Sequence, residues 1–141
     1  MVGRSKTATP AEKQRMALIK VLGCVPCVLK NWPDAQCDVH HVVEGYRLGH
    51  AATFGACLWH HKGESGEYTR QHMLGMLGSS MALSARTFTE EFGGQLLLVK
   101  VQDYILERFE AEPWLEFAMP HGVVLDIFYF WSNLRKADAE L

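Results

Sequence analysis

The chain has 141 residues, 48% of them hydrophobic and 21% charged, which fits a single globular unit with a real core and excludes wholesale disorder. No apolar run approaches the ~18 residues needed to span a bilayer, and MVGRSKTATPAEKQRM lacks an apolar signal segment, so a cytoplasmic setting with reduced cysteines is expected. The net charge of −2 argues against a wholly basic DNA-binding protein, but residues 1–62 hold 8 Lys+Arg against 4 Asp+Glu while residues 63–141 hold 6 against 12.

Taken in chain order, residues 1–8 are expected to be a polar leader. Thr9-Pro10-Ala11-Glu12 predicts a helix start: Thr9 caps, Pro10 suits the first helical position and Glu12 completes a capping box. Met16, Ile19 and Leu22 follow at helical spacing, and Gly23 stops the helix. CVPC and the irregular KNWPDAQ come next, then DVHHVV, whose valines predict a strand. GYRLGHAATFGAC reads as a long loop entering a second short strand, and CLWHHKGESGEYTRQHMLGML as helical segments broken by Gly63 and Gly66. Phe88 and Phe92 share one face of a short helix. Leu97, Val101, Ile105 and Phe109 mark a longer one that Pro113 must end. MPHGVVLDIFYFW is apolar enough for either a strand or a buried helix, and SNLRKADAEL predicts a terminal helix capped by Ser132.

The four cysteines, at 24, 27, 37 and 57, all lie in the first half, and five of the seven histidines (40, 41, 50, 60, 61) fall within 22 residues. Cys24 and Cys27 form a C-x-x-C knuckle, and Cys57 and His60 form C-x-x-H thirty residues later. Together they make the ligand complement of a closed tetrahedral Zn²⁺ site. Cys37 is left over, either to replace His60 as the fourth ligand or to pack in the hairpin. His40 and His41 are adjacent on the predicted strand and so point to opposite faces, one available to a metal and the other to a substrate pocket. His61 follows the zinc ligand His60 and can complete a second metal centre. Phosphodiester cleavage needs such a pairing: a hard divalent ion to stabilise charge and a base with pKa near neutrality. His72 is a further candidate ligand, balanced against an exposed helix position. Core packing is the expected role of Trp32 and Trp59.

The order C-x-x-C, HH, C-x-x-H-H-K resembles the HNH (ββα-metal) endonucleases. HHVVEGYRLGH with ACLWHHKG, and later RTFTEEFGGQLLLVKV, resemble the Ref-type RecA-dependent nucleases of phages over roughly residues 20–108. The resemblance implies an α+β fold: a zinc-stabilised ββα-metal core, an N-terminal helix and a mostly helical C-terminal part. A nuclease domain with flanking helices is expected over 9–112, with 113–141, outside the resemblance, an extension that packs on the domain or forms a partner surface. The resemblance further implies structural Zn²⁺ on Cys24, Cys27, Cys57 and His60. His40 and His61 would be ligands of a catalytic Mg²⁺ or Mn²⁺, with His41 as general base. Arg47, in the long loop, and Lys62 are candidate phosphate contacts, each otherwise a solvated surface charge. DNA and the RecA filament are the implied partners, inside a bacterial host cell, with no membrane.

One departure stands out. HNH motifs place an asparagine between the two histidine elements to orient the base, and residues 42–59 contain none. His50, Thr53 or a backbone carbonyl is left to do that work. Two alternatives to the endonuclease remain in view: a zinc-stabilised nucleic-acid-binding module without catalysis, and a zinc hydrolase with another substrate.

Overall fold

The computed structural model describes residues 7–43 and 48–139. The capping box forms as the sequence dictates, with Thr9 Oγ1 accepting from the Glu12 amide and Glu12 accepting from the Thr9 amide, and it opens α1 (Pro10–Leu22). A one-turn helix α2 (Val25–Leu29) follows, then the antiparallel hairpin β1 (Asp38–His41) and β2 (Thr53–Ala56). Helices α3 (Leu58–Lys62) and α4 (Arg70–Leu77) lie on either side of Gly63, which ends α3 in the left-handed region at φ 73°. Helix α5 (Ala85–Phe92) leads into the long α6 (Gln95–Ala111), a single 3₁₀ turn over Pro113–Glu116, and α7 (His121–Ala139). The result is an α+β arrangement in which a two-stranded sheet is embedded among helices. Among the described residues, no helix is long and apolar enough to cross a membrane.

Two stretches differ from expectation. Residues 121–139 form one unbroken helix, so Ser132 lies inside α7 and does not cap a separate one. The apolar run is helical because Val123, Val124 and Ile127 bury one face in the main core, where Leu115 and Met119 also sit. Trp32 is 52% exposed, beside the sharp turn at Asn31, and is not a core residue.

The hairpin is held at its centre. Phe54 is fully buried in the main core with Leu22, Val28, Phe92 and Leu98. The Gly55 amide donates to the Oε1 of buried Gln102 on α6 at 2.9 Å. Arg15 of α1 binds the edge of β2 twice, donating to Thr53 Oγ1 at 3.0 Å and to the Thr53 carbonyl at 2.8 Å, while also pairing with Asp103 of α6 at 2.6 Å. A part-buried charge-assisted brace of this kind fixes the start of β2 against two helices.

A Cβ at Gly55 would sit 2.5 Å from the Gly23 carbonyl oxygen and 2.9 Å from Cys37 Sγ. Backbone cannot step aside as a flexible side chain can. Gly55→Ala is therefore expected to destabilise the fold by about 1–3 kcal/mol. An unchanged thermal midpoint would show that α1 and β2 are not locked together at this point.

Candidate metal centre and histidine cluster

The spacing of each half-site has a local structural cause. Cys24 is the N-cap of α2, and its Sγ accepts from the Cys27 amide at 3.4 Å. Cys57 is the N-cap of α3, and its Sγ accepts from the His60 amide at 3.5 Å. A cap residue and the third helical residue lie on the same side of the first turn, so C-x-x-C and C-x-x-H each deliver two ligands to one point. The hairpin between them returns the chain, and the two helix starts meet.

The four ligand atoms converge. His60 Nδ1 is 3.4 Å from Cys24 Sγ, 3.5 Å from Cys27 Sγ and 3.3 Å from Cys57 Sγ, and Cys27 and Cys57 sulfurs are 3.6 Å apart. Bond lengths of about 2.3 Å to sulfur and 2.0–2.1 Å to nitrogen at tetrahedral angles give separations close to these. His60 Nε2 donates to the Leu77 carbonyl at 2.7 Å, which leaves Nδ1 as the lone-pair nitrogen aimed at the sulfurs. All four residues are buried, with Trp59, Met73 and Leu77 around them. Burial and hydrogen bonding to the neighbouring sulfurs push the Cys24 thiol well up. At Cys27 the hydrogen bond with Cys24 acts downward, but the one with Cys57, together with burial, raises the thiol overall. Hydrogen bonds with Cys24 and Cys27 pull Cys57 far down. A divalent cation at this point would stabilise the thiolate form of all three cysteines. The donor set, its geometry and its pinned histidine fit Zn²⁺.

Cys37 is not part of this centre. Its thiol donates to the Ile19 carbonyl at 3.4 Å, burial pushes its pKa up to about 12, and it packs in the hairpin, the second of its two expected roles. His72 is exposed on α4, stacked on Tyr68 at 4.8 Å, and is not among the converging ligands. Trp59 is buried, and its indole N–H donates to the Gly78 carbonyl at 2.8 Å.

Four further histidines lie in two pairs at the hairpin, His40 with His61 and His41 with His50. Asp38 and His40 share one face of β1, while His41 takes the opposite face. The His40 ring lies 5.0 Å from the His61 ring, centroid to centroid, and 5.1 Å from its cross-strand partner Phe54. His40 Nε2 is 2.8 Å from Gln95 Oε1 at the start of α6. Burial lowers the His40 pKa below the ordinary histidine value; Gln95 offsets part of that drop and His61 adds to it. The shift favours the neutral imidazole, the form a metal accepts. His61 Nδ1 is buried without a hydrogen-bond partner, 3.9 Å from Asp38 Oδ2. A ring nitrogen so placed, beside a carboxylate and a second imidazole, suits a cation. Lys62 Nζ lies 4.0 Å from the same carboxylate. His41 Nε2 is 3.0 Å from His50 Nδ1, and Thr53 Oγ1 donates to the His50 carbonyl at 2.9 Å. Of the expected site residues, Arg47 lies outside the described residues. Gln95 and Asp38 were not anticipated from the sequence, and no local spacing could have tied Gln95 to a histidine 55 positions away.

These features define an α+β protein with a buried Cys₃His centre beside a histidine-rich hairpin. The family model described as recombination enhancement, RecA-dependent nuclease, matches residues 8–107, and the chain belongs to that family. Membership points to a nuclease role in recombination. No curated protein and no solved structure matches the chain.

Proposed function

We propose that the chain is a DNA endonuclease of the HNH type that hydrolyses phosphodiester bonds in recombination with RecA. The observation that carries this reading is the meeting of His40 on β1 with His61 on α3, their rings 5.0 Å apart, directly after the zinc-type ligand His60. Hairpin, then helix, with a histidine from each at one point, is the layout that an HNH (ββα-metal) site requires.

In this reading Cys24, Cys27, Cys57 and His60 hold a structural zinc that sets α3 against the hairpin. His40 and His61 hold the catalytic Mg²⁺ or Mn²⁺, and the placement of His61 Nδ1 and the neutral form favoured at His40 suit them to it. Such an ion, when bound, stabilises negative charge on the phosphate and on the leaving oxygen. His41 is the general base. To act as one it must have a lone pair, so its contact with His50 must run as donation from His41 Nε2 to His50 Nδ1. That leaves His41 Nδ1 to take the proton from water, and His50 then steadies the imidazolium that forms. His50 thus does the work of the missing asparagine, with Thr53 fixing the His50 backbone. Arg47 and Lys62 contact phosphates flanking the cleaved bond, and residues 9–112 form the nuclease domain with 113–141 as its extension.

The test is nicking and linearisation of supercoiled plasmid by purified protein, with Mg²⁺, Mn²⁺ or neither, and with or without RecA filaments. Cleavage is expected only with the added divalent ion, and to rise with RecA. DNA binding without cleavage in every condition would favour the binding module instead.

A further inference from the structure

Helix α6 presents two glutamine side chains to the hairpin, seven residues and so two turns apart. Gln102 takes the Gly55 amide on β2. Gln95, the first residue of α6, meets the imidazole of His40 on β1 at 2.8 Å. The helix that carries Gln95 is anchored by buried Leu97, Leu98, Val101 and Ile105, so the amide is placed by the core and not by a mobile loop. The His40 ring is also restrained sideways, edge-on to Phe54 and to His61.

We propose that Gln95 is a positioning residue for His40, its side-chain oxygen accepting the Nε2 proton and so fixing Nδ1 as the ring's lone-pair nitrogen. A neutral imidazole otherwise divides between two tautomers, and a ring in the wrong one offers a proton where a cation needs an electron pair. An outer partner of this kind fixes both tautomer and ring angle, and its loss typically weakens metal binding by ~10–100-fold. The same pattern is already built into the other centre, where the Leu77 carbonyl takes the Nε2 proton of His60. The role rests on the reading of His40 as a ligand of the catalytic ion; the tautomer does not.

Two measurements on the full-length, zinc-loaded protein test it. In the absence of other divalent ions, nitrogen-15 spectra of the histidine rings should give His40 as the Nε2–H form. They should give a mixture in Gln95→Leu, which keeps the shape and removes the acceptor. A wild-type Nδ1–H form would overturn the proposal. Mn²⁺ titration followed by electron paramagnetic resonance should give a dissociation constant ~10–100-fold weaker in Gln95→Leu and near wild type in Gln95→Glu, which retains an acceptor oxygen. A role confined to joining α6 to β1 would lower the melting temperature of Gln95→Leu and leave Mn²⁺ affinity unchanged, which would also overturn it. No Mn²⁺ uptake by the wild type would overturn the ligand reading of His40, and this role with it. Uptake that is normal in the wild type and unchanged in Gln95→Leu would remove the Gln95 role alone.

Discussion

Replacing Cys24 with alanine is expected to yield a protein without zinc and with a melting temperature far below the wild type. The argument starts from what surrounds the centre. Cys24, Cys27, Cys57, Trp59, Met73 and Leu77 make a second small core, separate from the main one, and its interior is the four ligands themselves. So few apolar side chains bury little area, and at roughly 25 cal/mol per Å² they cannot hold α3 and α4 against α2 unaided, although α2 itself is also anchored in the main core by Val25 and Val28. Structural zinc contributes apparent binding energies of about 10–16 kcal/mol in small zinc-dependent domains, as large as the whole stability of an ordinary domain. Removing one ligand leaves three polar groups buried and unmatched as well. Elemental analysis should find about one zinc per chain in the wild type and none in Cys24→Ala. His40→Ala should keep the zinc, because His40 is not among the four converging ligands and its ring lies against Gln95 and His61 instead. Zinc lost in both variants would mean that the two centres are one. A zinc-free Cys24→Ala that melts like the wild type would mean the metal is not structural.

The parts of this site that were legible in the sequence are those encoded over three or four residues. Cys24 with Cys27, and Cys57 with His60, follow from N-cap geometry, which fixes the spacing before any tertiary contact exists. The adjacent pair His40-His41 divides between faces because a strand alternates. The capping box at Thr9 and the end of α6 before Pro113 are local in the same sense. What was not legible depends on which distant surfaces meet. Gln95 touches His40, Gln102 touches Gly55 and Arg15 reaches Thr53, pairs separated by 55, 47 and 38 residues. The tail was ambiguous for another reason. Its run of β-branched and aromatic residues suits a strand, and only the burial of Val123, Val124 and Ile127 against the main core decides for helix. Trp32 departs from expectation because residue type predicts burial only on average, and here the side chain follows the turn at Asn31 and is 52% exposed.

His41→Ala is expected to reduce cleavage by about 10²–10⁴-fold, the range a positioned general base contributes, while zinc content, melting temperature and DNA affinity remain close to wild type. The separation of effects follows from placement. His41 lies on the face of β1 opposite His40, so its loss does not touch the proposed ion ligands. It is only part-buried in its contact with His50, so truncation leaves no large cavity. Its neighbours keep their own anchors: the His50 carbonyl still accepts from Thr53, and Thr53 is still held by Arg15. The loss should appear in kcat and not in KM, because a base that acts on water contributes to the transition state and not to binding of DNA. His50→Ala should give a smaller loss of the same kind, since it leaves the base present but unoriented. His40→Ala should instead weaken the response to Mn²⁺ concentration. The three variants therefore separate base, orienting partner and ion ligand by which quantity moves. A His41→Ala protein that nicks plasmid at the wild-type rate would remove His41 from the chemistry, and with it the assignment of the reaction to this face of the hairpin.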